Sequence, residues 1–282
     1  MKLARPNAEV FVPDKAAVSR ALARTTHLCI AAHPDDIEIM AVRAILDCFG
    51  RKDRWFTGVV VTDGTGSPRA GAYAKLTPRK LREVRMREQR KAAVLGDFGA
   101  LVLLGHPSSA VKSRGKNDVC RDLAAVLKAA RPDVVIGHNL ADKHDTHVAL
   151  ALRTIEAIRS LPLRSRPKQF FGGEVWRDLD WMPDHGKTVW DVSAREDLQR
   201  ALIAVFDSQI GGGKRYDLAV MGRRRAHATY GQSHKVDTAT AVALGMDLTP
   251  LIRNDRLDPC SYMMRFVDAF RADVAARIAR LG

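Results

Sequence analysis

His33, Asp35 and Asp36 stand together in LCIAAHPDD, residues 28–36, where a short apolar run ends in a histidine, a proline and two adjacent carboxylic acids. His33 and Asp36, three residues apart, offer one nitrogen and one oxygen donor to a borderline-soft metal such as Zn²⁺. Asp35 between them is free to act as a base, and Pro34 fixes one torsion of the turn that converges these side chains. A second polar cluster, His138-Asn139-Leu140-Ala141-Asp142-Lys143-His144-Asp145-Thr146-His147, holds three of the nine histidines of the chain. His147 opens a helical pattern whose Ala151, Ile155 and Ile158 continue one inward face, so its ring is expected to point toward the sheet. A first-turn position disfavours imidazolium, as a neutral ligand requires. His144, one turn earlier, is close enough to share that pocket, whether or not it binds the same ion.

Both clusters follow apolar runs that read as strands buried on two faces, and ligands in open α/β sheets bind beyond the carboxyl ends of such strands. Strands are expected over 27–32, 55–62, 101–104, 133–137, 170–175 and 188–192. Helices are expected over 37–49, 79–96, 119–130, 146–159, 195–206, 217–230 and 262–281. This βαβα alternation predicts an α/β fold, a Rossmann-like, doubly wound and mostly parallel sheet with helices on both faces. Residues 1–282 are expected to form a single domain, with an N-terminal arm over 1–24, containing a short helix to Arg24, and a C-terminal segment 210–282 that follows no general pattern. The loop over 63–77, rich in Gly, Ser and Pro, should lie over the same sheet edge as His33.

Helix geometry singles out two further charges. Over 79–96, Leu81, Val84, Ala92 and Leu95 form one stripe, and Arg85 and Glu88 fall inside it, while Arg82, Glu83, Arg87 and Arg90 lie opposite. Charges on an apolar face must be paired or bind something, so Arg85 reads either as a contact to substrate hydroxyl or phosphate groups or as half of a buried ion pair with Glu88. Asp63 and Arg69, in the loop after the second strand, could contact substrate or simply form a turn. Trp176 and Trp181 could make a sugar-stacking wall or a packed loop.

Composition narrows the classes. The chain has 282 residues, 46% of them hydrophobic, enough for a sizeable core. No apolar run approaches membrane-spanning length and no signal-peptide pattern follows Met1, so a soluble cytoplasmic protein is expected. The four cysteines, Cys29, Cys48, Cys120 and Cys260, form no CxxC, which suits a reducing compartment and argues against a cysteine zinc site. The net charge of +14 could serve nucleic acid, an anionic membrane surface or an acidic substrate. With 6% aromatic residues and no zinc-finger, RNP or helix-turn-helix signature, no nucleic-acid partner is expected.

Taken in order, HPDD after the first buried strand, Thr62-Asp63-Gly64, Arg85-x-x-Glu88 with Leu95-Gly96, HxxH at a helix start and Ser208-Gln209 resemble the PIG-L/LmbE-like zinc-dependent de-N-acetylases. These remove acetyl groups from N-acetylglucosamine-type sugars. The resemblance runs from Leu28 to Gln209. It implies an LmbE-like fold, His33, Asp36 and His147 as zinc ligands, Asp35 as general base, and His144 as general acid or oxyanion stabiliser. Arg85, Glu88, Asp63 and Arg69 are the candidate substrate contacts. Thr146 occupies the slot where the family often has an aspartate that orients the catalytic histidine, leaving Asp142 or Asp145 to take that role. Met40-Ala41-Val42-Arg43 stands where a glycine pair is common. The expected substrate is a small N-acetylated amino-sugar conjugate, anionic in view of the basic loops, and a homo-oligomer covering part of the C-terminal half would fit its arginine-rich helices. Two other classes fit some features: a non-hydrolytic nucleotide- or sugar-binding Rossmann-like module, which lacks a GxGxxG turn here, and a basic nucleic-acid-binding protein.

Overall fold

Among the described residues, eight strands pair into one sheet: β1 (Glu9–Phe11), β2 (His27–Ala31), β3 (Phe56–Thr62), β4 (Ala100–His106), β5 (Val134–His138), β6 (Gln169–Gly173), β7 (Lys187–Asp191) and β8 (Val242–Asp247). A computed structural model describes residues 1–114 and 118–282. The helices are α1 (Val18–Ala23), α2 (Asp36–Met40), α3 (Val42–Cys48), α4 (Pro78–Leu95), α5 (Ser108–Lys112), α6 (Asp118–Ala130), α7 (Asp145–Arg159), α8 (Glu196–Ala204), α9 (Asp207–Ile210), α10 (Tyr216–Tyr230), α11 (Thr249–Arg253) and α12 (Pro259–Leu281). None of the helices is long and apolar enough to cross a membrane, among the described residues.

The strand order is β1-β4-β3-β2-β5-β6-β8-β7. The contiguous strands β4, β3, β2, β5 and β6 run parallel, while β1 and β8 pair antiparallel to their neighbours. Chain order leaves β2 toward β3 and β4 on one side, then resumes at β5 on the other. β2 and β5 therefore flank the switch point, where an open α/β sheet leaves a crevice at its carboxyl edge.

Strict alternation within the strands divides the core into two layers. Leu28 and Ile30 of β2 face one side with Leu123 and Val126 of α6 and Leu150, Ile155 and Ile158 of α7. Cys29 and Ala31 face the other, with Ile37, Ile45, Ala92, Ala93 and Leu202 from α2, α3, α4 and α8. Each fully buried aliphatic side chain contributes about 1.5–3 kcal/mol, so both faces of the sheet are committed to helices. The mostly parallel, two-sided architecture is the one the alternation predicts.

The differences are local. The expected helix over 37–49 is two helices broken at Ala41, because Arg224 from α10 donates Nη2 to the carbonyls of Glu38 and Ile39 and caps the first helix there. β1 lies inside the expected arm and pairs with β4. β8 carries Gly245, over which the Trp190 indole packs so closely that an added Cβ would sit 2.4 Å from the ring, so the strand lacks a continuous hydrophobic signature.

Candidate active site

Where β2 ends, the chain turns sharply. Asp35 has φ 93°, a conformation that costs a non-glycine residue about 1–3 kcal/mol and survives only when its surroundings enforce it. α4 enforces it. Gln89 Oε1 accepts the Asp35 N–H at 3.1 Å, and Arg85 Nη2 donates to the Pro34 carbonyl at 2.8 Å and to Asp35 Oδ2 at 3.1 Å. The other Arg85 nitrogen, Nη1, donates to Gly64 O and Ser67 Oγ, tying the loop after β3 to the same guanidinium.

The turn delivers His33 and Asp36 against His147 of α7. His33 Nδ1 lies 3.2 Å from Asp36 Oδ2 and 3.1 Å from His147 Nε2, and His147 Nε2 lies 3.3 Å from Asp36 Oδ2. Two ligands about 2.0–2.1 Å from a tetrahedral zinc ion are about 3.3–3.4 Å apart, so this triangle of two nitrogens and one oxygen has the edges of a tetrahedral face. The donor set fits a divalent metal in both spacing and chemistry. His144 stands beside it, its ring stacked on that of His147 at 4.5 Å.

His138 also reaches the cluster, 3.5 Å from Asp36 Oδ2 and stacked on His147 at 3.9 Å. Its Nε2, however, accepts the Ala32 N–H at 2.9 Å, which occupies the lone pair a metal would need. Burial holds its imidazole well below the usual histidine range, so it is a neutral plate behind His147.

The electrostatics separate two adjacent carboxylates. Burial pushes Asp35 up to about 7; Asp36 adds to the rise, while Arg85 and His147 oppose it. Burial would also raise Asp36, but His147, His33 and His138 surround it and hold it well below the carboxylate range. His147 is raised: burial opposes its charge, yet Asp36 and Asp142 outweigh both burial and the helix N-terminus expected to keep it neutral. A metal there would displace that proton.

The orienting role sought for a carboxylate near Thr146 is divided. Asp142 Oδ2 lies 3.4 Å from His147 Nδ1, so this carboxylate backs His147 rather than the ring of His144. His144 instead accepts the Thr146 N–H on Nδ1 at 3.2 Å, and its own N–H donates to Asp142 Oδ1 at 2.9 Å. With Nδ1 accepting, a neutral His144 carries its proton on Nε2. Burial, with His147 and His33 nearby, lowers its pKa.

These groups open into a pocket of about 290 Å³ that His33, Asp35, Asp36, Arg85 and His144 share with Trp176, Lys214 and Tyr216. Asp63 and Arg69 do not line it. Asp63 Oδ1 accepts from Thr65 N and Oγ1, and Arg69 Nη1 donates to the Leu76 carbonyl. Glu88 is buried but spent, its two oxygens accepting the N–H and hydroxyl of Ser208. It therefore anchors the α9 segment, and the ion pair of Arg85 is with Asp35 rather than Glu88. A larger cavity of about 430 Å³ lies beside β7, β8 and the end of α10, but both metal-capable groups among the described residues lie at the smaller pocket.

Sequence reasoning did not place Lys214 and Tyr216 in the site. Lys214 Nζ lies 4.9 Å over the Trp176 ring, and the Tyr216 ring meets Trp176 edge-on at 6.3 Å. Trp176 had a signal, an aromatic residue just past the carboxyl end of a parallel strand. The other two are brought in by the turn between α9 and α10, which no pattern marks.

A mostly parallel sheet thus carries at its carboxyl edge a donor triangle able to hold a divalent metal, beside a raised carboxyl able to exchange a proton. Residues 28–158, a stretch that contains HPDD and both histidines of HxxH, match the model of the PIG-L family, GlcNAc-PI de-N-acetylase. No curated protein sequence matches the chain. Among solved structures, the fold is similar to 4-carboxy-2-hydroxymuconate hydratase from Pseudomonas putida, with TM-score 0.61 and 18% identity over 79% of this chain and 96% of that one. It is also similar to N,N'-diacetylchitobiose deacetylase from Pyrococcus horikoshii, with TM-score 0.57 and 20% identity over 78% of this chain and 83% of that one. A pseudoaglycone deacetylase is similar with TM-score 0.57 and 15% identity, over 79% and 97% of the two chains. At such identities the likeness is one of fold.

Proposed function

We propose that the protein is a zinc-dependent hydrolase that removes an N-acetyl group from an amino-sugar conjugate, with Asp35 as general base. The observation that carries this reading is the donor triangle of His33, Asp36 and His147, with edges of 3.1–3.3 Å, beside a carboxyl raised to about 7. Bound there, zinc supplies Lewis acidity that polarises a carbonyl and lowers the pKa of a water from about 15.7 toward about 7.

The residues of the chain divide the remaining work. Asp35 has a proton affinity matched to neutral pH, so it takes a proton from the attacking water and returns it to the departing amine. His144 is held neutral by burial and by the accepting bond on Nδ1, so its Nε2–H donates to the developing oxyanion. One such donor is worth about 2.7–4 kcal/mol. Arg85 fixes the Asp35 carboxylate and keeps its pKa from climbing further. Trp176 offers a face for a sugar ring, and the Lys214 ammonium beside it, which no carboxylate pairs among the described residues, favours a substrate with an anionic substituent. A reducing, cytoplasmic setting belongs to the same proposal, supported by four cysteines that are all unpaired.

The test is to purify the protein, measure bound metal, and assay acetate release from neutral and anionic N-acetylated sugars with and without chelator. The expected result is one zinc per chain and chelator-sensitive acetate release, greater for the anionic sugars. Absence of metal, with no activity on adding zinc, would sink the reading. The Pseudomonas putida neighbour favours one second reading, hydration of an unsaturated carboxylate. It predicts chelator-sensitive loss of the conjugated absorbance of such a substrate and no acetate from any sugar.

A further inference from the structure

The C-terminal helix α12 carries more apolar surface than its own chain covers. Its first turns are anchored: Tyr262 and Met263 are buried, Tyr262 donates its hydroxyl to the Asp247 carbonyl, and Trp181 meets Phe270 edge-on. Beyond that the helix runs along open surface. Val267, Phe270, Val274, Ile278 and Leu281 are exposed to 36%, 42%, 39%, 68% and 78%. At 100° per residue these five positions fall within about 80° of arc, one continuous stripe over the last four turns.

Their spacing is symmetric. Phe270 and Ile278 lie four residues to either side of Val274, and Val267 and Leu281 lie seven to either side. An antiparallel copy of the helix, related by a two-fold axis at Val274, therefore places every apolar side chain of the stripe opposite an apolar side chain of its mate. The charges agree. Asp273 and Arg277 lie on the same flank of the stripe, one turn apart around Val274, and pair within the chain at 3.1 Å. In the antiparallel arrangement the two copies of Asp273 meet at the dyad with an Arg277 on either side, the partner's Arg277 about 3 Å along the axis from Asp273 at about 1.5 Å per residue, so both guanidinium groups flank the aspartate pair. A groove of about 380 Å³ between α12 and residues 180–187, lined by Trp181, Met182 and Phe270, opens alongside the first half of the stripe. Antiparallel pairing brings the partner's Leu281 to that end.

We propose that α12 is a self-association element and that two copies of the protein pair through it, antiparallel, across a two-fold axis at Val274. The mixed signs of the flanking charges, with Asp268 and Asp273 among the arginines, favour this occupant over an anionic membrane, which selects a uniformly cationic polar face.

Two measurements on the full chain test this. In analytical ultracentrifugation the wild type should sediment as a dimer of the 31.1 kDa chain, and Val274→Glu should raise the dissociation constant by roughly 100-fold or more, because it buries two like charges face to face. Circular dichroism should be unchanged, since Val274 is exposed and belongs to none of the hydrophobic clusters among the described residues. In a Cys260→Ser background, Val274→Cys should form an interchain disulfide on mild oxidation, since the dyad residue meets itself, whereas Val267→Cys should not. A wild type that is monomeric at all concentrations overturns the proposal, whether or not it binds anionic vesicles. So does a dimer indifferent to Val274→Glu, or one in which Val267→Cys crosslinks and Val274→Cys does not.

Discussion

Residues 33–36 and residues 138–147 leave neighbouring parallel strands and meet at one set of donors, yet they are held in different ways. The second segment builds itself. Asn139 Oδ1 accepts the Ala141 N–H, Asp142 Oδ1 accepts the His144 N–H and His144 Nδ1 accepts the Thr146 N–H, each bond spanning two residues. Asx-type turns of this kind are cheap to form and encode their own shape. The first segment is held from afar, with Asp35 in a strained conformation kept there by Arg85 and Gln89, 50 and 54 residues away. In the proposed reading the locally built segment supplies a ligand and a hydrogen-bond donor. The strained one supplies the proposed base, Asp35, whose pKa is set by burial and a distant guanidinium. Perturbing α4 should therefore retune the base, while perturbing the second segment should loosen the metal.

The sharpest break in that contrast is Asp35→Asn. It removes the base and leaves all three donors, so kcat for acetate release is expected to fall by roughly 10²–10⁴ with bound metal unchanged, checked by steady-state assay alongside metal analysis. Loss of metal together with activity would mean that Asp35 belongs to the donor set rather than beside it.

Next in size is Arg85→Met. Breaking a buried ion pair costs about 3–5 kcal/mol when the charge left behind stays ionised. Here Asp35 can protonate instead, which makes the effect depend on pH. The folded value of about 7 lies above the ordinary 3.8, so its contribution to stability is full below 3.8 and is lost as pH rises through 7. Without Arg85, which lowers the folded value, that loss extends to higher pH. Thermal unfolding with chelator present should show Arg85→Met nearest to wild type at pH 5 and most destabilised at pH 8–9. The acid limb of kcat, which requires ionised Asp35, should shift upward relative to wild type. A uniform destabilisation with an unmoved limb would assign Arg85 to packing alone.

The same contrast explains what was legible before the fold was known. HPDD and HxxH could be read because their groups act within three residues of one another, and the strands ahead of them are continuous apolar runs. Arg85 and Glu88 stood out as charges on an apolar stripe, but their partners, Asp35 and Ser208, lie on other elements, so their roles were not separable. The break at Ala41 depends on Arg224, 183 residues further on, and the place of Lys214 over Trp176 depends on how α9 turns into α10. Local chemistry was visible, and whatever a remote side chain decides was not.

Two smaller effects complete the contrast in the self-built segment. Asp142→Asn keeps the bond to the His144 N–H but removes the charge facing His147 Nδ1, and loss of such a partner typically weakens metal binding by 10–100-fold. Competition with a chromophoric chelator should show that weakening, with the acid limb set by Asp35 nearly unmoved, because Asp142 is not among the principal influences on Asp35. Asn139→Ala is smaller still. It removes the bond to the Ala141 N–H and the donation from Nδ2 to the Gly173 carbonyl, leaving a buried acceptor short of one partner, which costs about 1–3 kcal/mol. Because Asn139 precedes the two bonds that shape 142–146, the expected outcome is a lower melting temperature with metal affinity within a few-fold of wild type. If Asn139→Ala instead released metal as readily as Asp142→Asn, the turns would form one cooperative unit, and the ligand histidine would depend on all three links of the chain rather than on its nearest carboxylate.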